Sequence, residues 1–261
     1  MPELTIYQVD AFTDTLFRGN PAAVVPLDTW LPDHLMQAIG LENNLSETAF
    51  FVAEGEVYRL RWFTPAVEVD LCGHATLASA HVLFAHLGFT GERLDFDTRS
   101  GPLRVKRAGD AYRMDFPADR LTAAEPPAAL FEALGRAPRE VYTGREDYLV
   151  VYETQADVAG LDPDFGRLKE IGGRGVIATA PGDEVDFVSR AFFPNFGIDE
   201  DPVTGAAHTT STPYWAGRLG KDDLTARQIS TRGGELRCVL RGDRVDLYGR
   251  AVTYLKGTIR F

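Results

Sequence analysis

The sequence predicts an α+β protein of two duplicated, pseudo-symmetric domains, each a curved antiparallel sheet wrapped around one central helix. Three observations carry this: an ordered internal repeat near half the chain length, short alternating strand-like runs in both halves, and a helix apolar nearly all round. At 261 residues the chain can hold two modest domains or one large one.

Four segments of the first half recur in order in the second. Ser46-Glu47-Thr48-Ala49 matches Ile177-Ala178-Thr179-Ala180, and Arg61-Trp62-Phe63-Thr64-Pro65 matches Arg190-Ala191-Phe192-Phe193-Pro194. Gly73 through Gly88 matches Gly205 through Gly220, and Thr98–Arg104 matches Thr231–Arg237 with five identities in seven. Shared propensity explains apolar periodicity, but not Thr-Arg-x-Gly-x-Leu-Arg twice.

Alternating runs predict strands at Thr48–Val52, Tyr58–Phe63, Leu94–Thr98, Leu103–Lys106 and Tyr112–Phe116. In the second half they fall at Tyr148–Tyr152, Asp186–Phe192, Glu235–Leu240 and Arg244–Leu247. A strong helix is expected over Ala75–Leu87, stopped by Gly88. A shorter one runs from Pro32 to Ile39, ended by Gly40. The second half repeats the central helix at Ala207–Leu219, where Pro213 should kink it or delay its start. Because Leu77, Ala78, Ala80, Val82, Leu83, Phe84 and Leu87 leave little polar surface, the first central helix belongs inside a wrapped sheet. The Ala/Pro-rich segment Ala118–Pro127 reads as the joint. The expected domains are 1–118 and 125–261, with the last strand able to return to the first.

Composition excludes more than it assigns. Hydrophobic residues make up 44% and charged residues 25%, with a formal net charge of −11. No Lys/Arg stripe offers phosphates a binding face, so nucleic acid is not an expected partner. The start, with Glu3 and Asp10 in strand-like sequence, lacks the basic and apolar regions of a secretory leader. The most apolar helix is too short to span a bilayer. Cys72 and Cys238 form neither a disulfide framework nor a zinc motif. A cytoplasmic setting is expected, with no membrane and no metal.

A duplicated fold brings equivalent loops face to face, so Asp70–His74 and Glu200–Gly205 are expected to meet at a cleft between domains. Both precede central helices, whose first N–H groups suit a carboxylate or a developing enolate. Gly73 and Gly205 permit close approach. Asymmetry then points to chemistry: in the matched segments Glu47 is replaced by Ala178 and His74 by Ala206, and the longer second loop carries Asp201.

Phe17-Arg18-Gly19-Asn20-Pro21-Ala22-Ala23-Val24-Val25, Asn44-Leu45-Ser46-Glu47-Thr48-Ala49-Phe50, Leu71-Cys72-Gly73-His74-Ala75-Thr76 and Glu200-Asp201-Pro202-Val203-Thr204-Gly205 together resemble the successive motifs of the PhzF (phenazine biosynthesis-like) family. That family lies in the diaminopimelate epimerase-like superfamily, and the match runs from about Val9 to the C-terminus. The resemblance implies an epimerase-like fold, no cofactor, a homodimer and a small carboxylate-bearing substrate. It implies isomerisation of the kind performed on trans-2,3-dihydro-3-hydroxyanthranilate, with a glutamate moving a proton between ring carbons. Glu47 falls on that glutamate and is the candidate general acid/base; a dry setting near Phe50 and Phe51 would raise its pKa as such chemistry requires. His74 and Asp201 fall on substrate-contacting positions, and Asn20, Gly73, Gly205 and Ala206 on substrate-framing ones.

Two departures matter. The family's Thr-Gly-Ser-Ala reads Thr204-Gly205-Ala206-Ala207 here, which removes a hydroxyl assigned to substrate and points away from the phenazine precursor. The superfamily's two-thiol epimerases place one Cys before each central helix, whereas this chain has Cys72 in one loop and Asp201-Pro202 in the other. Two alternatives stay open: an amino-acid racemase or epimerase using Glu47 with Cys72 or Asp201, and a non-catalytic metabolite-binding protein with a decayed site. Plainer roles stand beside these. Asn20-Pro21 is a natural turn pair, Asp201 a common helix-leading residue, Cys72 and Cys238 buried hydrophobes, and His81, His86 and His208 ordinary helix residues.

Overall fold

The computed structural model describes residues 2–261. The chain divides into two compact units, Met1–Asp115 with Tyr248–Phe261, and Phe116–Leu247. The Ala118–Pro127 segment follows the Asp115/Phe116 boundary at the start of the second unit.

The chain opens with β1 (Glu3–Ala11), β2 (Asn20–Leu27), α1 (Asp33–Asn43), β3 (Glu47–Glu54), β4 (Val57–Phe63), β5 (Glu68–Val69), α2 (Gly73–Ala85), β6 (Arg93–Thr98), β7 (Gly101–Ala108) and β8 (Ala111–Pro117). It continues with β9 (Thr122–Ala123), α3 (Ala128–Leu134), β10 (Glu140–Thr143), β11 (Asp147–Val151), α4 (Gln155–Ala159), α5 (Phe165–Leu168), β12 (Gly175–Pro181), β13 (Phe187–Phe193) and β14 (Ile198–Asp201). Last come α6 (Gly205–Leu219), β15 (Asp223–Gln228), β16 (Gly234–Arg241), β17 (Arg244–Gly249) and β18 (Ala251–Arg260).

In the first unit the strands pair in the order β18-β1-β2-β3-β4-β6-β7-β8, with β5 also on β4. In the second the order is β9-β10-β11-β12-β13-β15-β16, with β14 on β13. Most pairs are antiparallel as expected. Two in each unit are parallel: β2–β3 and β4–β6, matched by β11–β12 and β13–β15. Parallel neighbours need a crossover, and helices supply it in both units.

Strand alternation gives each sheet two covered faces. In the first unit Ile6, Ala23, Val25, Phe50, Val52 and Phe63 pack with Met36 and Ile39 of α1. Tyr7, Val9, Ala22, Val24, Ala49 and Phe51 are buried on the other face, where α2 meets β1, β2 and β3. Ten of the 13 residues of α2 are buried, as its nearly continuous apolar surface predicts.

An ion pair records the duplication. Arg61 grips Glu68 through two hydrogen bonds of 2.7 and 2.8 Å, and Arg190 grips Glu200 through two of the same lengths. Each guanidinium also lies over the phenylalanine two residues on, Phe63 or Phe192. The sheet registers then correct one of the repeats. Arg61 pairs with Phe50 and Arg190 with Ala178, so Ala178 corresponds to Phe50, not to Glu47. The counterpart of Glu47 is Gly175. Ala178 indeed packs in the core formed with α3, α4 and α5, as Phe50 packs with α1. An odd slip in a strand moves every side chain to the wrong face. Gly175 leaves no room for an acid: a Cβ there would stand 2.3 Å from the Phe192 carbonyl oxygen.

Two helix boundaries differ from expectation. α1 runs through Gly40 and ends at Asn44, which adopts a left-handed φ of 49°. Gly40 serves close packing instead, since a Cβ would come within 3.2 Å of the Phe63 Cβ. α6 runs from Gly205 through Pro213 to Leu219. The Thr209 carbonyl that Pro213 cannot bond accepts the Asp119 N–H at 3.2 Å, so the helix carries the proline without an orphaned acceptor. No described helix is long and apolar enough to cross a membrane.

Candidate active site

The residues singled out from sequence fall into two groups, one in each unit. In the first unit Glu47 opens β3, Gly73 and His74 open α2, and Asn20 opens β2. Asn20 is held there by the preceding turn: Gly19 has φ +67°, and a Cβ on it would stand 2.1 Å from the Ala11 carbonyl oxygen. Asn20 pairs with Ala11 across β1–β2. Ala22 stands beside Glu47 in the parallel β2–β3 pair, which puts Asn20, Ala22 and Glu47 on the sheet face that α2 covers.

The helix start closes the cluster. Cys72 precedes α2 in extended conformation, and its carbonyl accepts both the N–H and the hydroxyl of Thr76, at 3.2 and 2.5 Å. His74 then turns its ring between two partners. Nδ1 lies 3.4 Å from Cys72 Sγ, and Nε2 lies 3.1 Å from Glu47 Oε2. All three residues are buried, His74 at 5% exposure and Glu47 at 8%. The imidazole and carboxylate sit at ion-pair distance but off the line of a hydrogen bond, leaving His74 Nε2 and Glu47 Oε2 without hydrogen-bond partners. Buried polar atoms in that condition are uncommon in folded proteins.

The electrostatics follow from this geometry. Burial pushes the His74 imidazole down, yet its Cys72 and Glu47 neighbours outweigh burial and hold it well above the usual histidine range. Burial, then Glu47, pushes the Cys72 thiol up to about 11. The thiol is therefore neutral near pH 7, and Glu47 is the second acidic group beside the imidazole, 3.1 Å from Nε2. The setting of Glu47 also differs from the expected one. Phe50 points to the opposite face, against Phe63; only Phe51 shares the face of Glu47, and the nearest polar group is a cation.

Glu47, Cys72 and His74 offer donor atoms within 4.8 Å of one another. Metal binding at such a set would release the protons of the thiol and the imidazole. The set as it stands suits proton chemistry.

In the second unit Asp201 is 7% exposed and accepts the Thr204 hydroxyl at 2.5 Å. Gln228 ties this loop from β15: its Oε1 accepts the Thr204 N–H at 2.9 Å, and its Nε2 donates to the Asp201 carbonyl at 2.6 Å. Ser230 donates to the Pro202 carbonyl at 2.7 Å. Gly205 and Ala206 follow at the start of α6. His208 bonds back to the Thr204 carbonyl at 2.8 Å, as Thr76 bonds to the Cys72 carbonyl.

Sequence reading missed two parts of this. Cys72 was read as a buried hydrophobe or as a racemase thiol and not as a partner of the His74 ring, although the Cys-x-His spacing at a helix start was visible. Gln228 carried no local signal, because its partners lie 24 and 27 residues away.

The chain is 57% identical to an uncharacterized isomerase of Pseudomonas aeruginosa, over 98% of this chain and 99% of that protein. It is 48% identical to a phenazine biosynthesis protein of the PhzF family from Enterococcus faecalis, with a TM-score of 0.97 and full coverage of both chains. It also shares its fold with a probable proline racemase of Agrobacterium radiobacter, at a TM-score of 0.66, 11% identity, and coverage of 99% of this chain and 92% of that one. Residues 9–257 match the sequence profile of the PhzC-PhzF family, phenazine biosynthesis-like protein, and the chain belongs to that family.

Proposed function

We propose that this protein is a cofactor-independent isomerase that moves a proton on a small carboxylate-bearing substrate, with Glu47 as the acid/base. One observation carries the reading: Glu47 Oε2 and His74 Nε2 are buried, 3.1 Å apart, and both lack hydrogen-bond partners. A substrate can satisfy both. The Glu47 carboxylate removes a proton from a carbon beside an electron-withdrawing group, and the His74 imidazolium stabilises the negative charge that develops. Glu47, now protonated, returns the proton at a second carbon. The Cys72 thiol holds the ring at Nδ1 and takes no proton itself.

Asn20 and Gly73 frame this cluster in the reading, and Asp201, Gly205 and Ala206 are read as substrate-binding groups at the start of α6. Family membership and relatives named as isomerases support the reaction class. Ala206, in place of the family's serine, favours a substrate other than the phenazine precursor.

The test is carbon-bound deuterium uptake from D2O, followed by proton NMR over a panel of cyclic and acyclic carboxylates. The wild type should label one carbon without inverting it, while Glu47→Gln should lose uptake by about 10²–10⁴-fold, the usual worth of general acid–base catalysis. Wild-type exchange rates in the variant would remove Glu47 from the mechanism. Inversion at the labelled carbon would indicate a racemase.

A further inference from the structure

Strands β6, β7 and β8 carry a second cationic feature remote in sequence from every residue assigned above. Their α2-facing side is accounted for: Leu94, Val105 and Met114 are buried, and Arg107 and Tyr112 meet Phe84. The opposite face holds Arg93, Arg104, Lys106 and Arg113, which line a concavity of about 110 Å³ together with Asp115. That volume is several times the roughly 30 Å³ share of one water molecule.

The register makes the arrangement costly. Arg93 stands directly opposite Lys106 in the β6–β7 pair, and Lys106 directly opposite Arg113 in the β7–β8 pair. Three cations thus lie in one row across three strands, where like charges facing each other are unfavourable. Asp95 offsets part of this, accepting from Arg93 at 2.8 Å and from Arg104 at 3.3 Å. Lys106, the middle member, is exposed and has no carboxylate within ion-pair distance among the described residues. The chain as a whole carries −11, so four cations around one hollow are not its general surface character.

We propose that this hollow is an oxyanion site that binds a phosphoryl group, with Lys106 as the point charge and Arg93 and Arg113 as flanking donors. Guanidinium forks match phosphate oxygens, and an ammonium adds charge without a fixed direction. The same chemistry serves free phosphate or the phosphate of a small metabolite.

Isothermal titration calorimetry at fixed ionic strength tests this, with inorganic phosphate in one arm and adenosine monophosphate in the other. The site predicts saturable binding of one equivalent to the wild type in at least one arm, and the arm that binds identifies the source. Lys106→Glu should weaken binding by about tenfold or more, from loss of a charge-assisted contact, while Lys106→Arg retains it. Because Lys106 is exposed, both variants should keep the wild-type circular dichroism spectrum. Glu47→Gln should bind as the wild type does. The proposal is overturned if neither arm binds, if Lys106→Glu binds as well as the wild type, or if Glu47→Gln abolishes binding and so locates the anion at the other cluster.

Discussion

Acid should weaken this fold in a defined window, because one buried and one half-buried histidine are held in their neutral form. His208 is fully buried and donates to the Thr204 carbonyl; burial lowers it to about 4. His81 is held between the Tyr112 hydroxyl at 3.0 Å and the Thr253 hydroxyl at 2.9 Å. Burial, and then His86, lowers it to about 4 as well. A histidine with a depressed folded pKa gives its full stability above the unfolded value, near 6.5. That contribution falls as pH drops and is exhausted near the folded value. A shift of about 2.5 units at about 1.36 kcal/mol each is roughly 3 kcal/mol per residue. Two such losses are a large share of a typical stability of about 5–15 kcal/mol. His74 is silent in this window, since its raised pKa leaves it protonated in both states; its contribution is lost only as pH rises above the unfolded value. Urea denaturation at pH 7.5, 6.5, 5.5 and 4.5 should therefore show the midpoint falling steadily below pH 6.5. His208→Asn keeps a donor for Thr204 but cannot titrate, so its slope should be about half as steep even if its neutral-pH stability is lower. A midpoint flat from pH 7.5 to 4.5, or an unchanged slope in the variant, would refute the reasoning.

Other expectations are more local. Gly175→Ala should destabilise by about 1–3 kcal/mol or more, read as a lower urea midpoint, because its Cβ meets backbone 2.3 Å away. Glu200→Gln and Glu68→Gln should each cost about 1–3 kcal/mol by leaving a largely buried guanidinium short of charge; equal losses in chemical denaturation would confirm that the repeated pairs are energetic equivalents. Cys72→Ala should keep its fold by circular dichroism and reduce deuterium uptake far less than Glu47→Gln, since the thiol positions the ring and transfers no proton.

Much of this architecture was legible because duplication writes the same local chemistry twice. Arg61-x-Phe63 and Arg190-x-Phe192 mark the same strand position, and the glycines at 73 and 205 mark the same helix start. The match of Glu47 to Ala178 failed because a shared Thr-Ala pair carries no information about strand parity. Only the hydrogen-bonded register reveals that Gly175 is the counterpart. Gly40 was misread as a helix stop because glycine answers two needs, a left-handed backbone or a close approach, and here it is the second. Pro213 was expected to disturb α6, but its compensation comes from Asp119, far away in sequence. At the candidate site, Glu47 and His74 were readable as motif residues, whereas their pairing is a tertiary fact.

The central claim is that a buried Glu47 carboxylate keeps His74 charged beside it. Nitrogen-15 NMR of the histidine rings, with His74 assigned by substitution, measures this directly and needs no substrate. His74 should give an imidazolium signal with both ring nitrogens protonated at pH 7.5, and Glu47→Gln should shift its titration to lower pH. A neutral His74 ring at pH 7.5 in the wild type, or a titration unmoved by Glu47→Gln, would contradict the account.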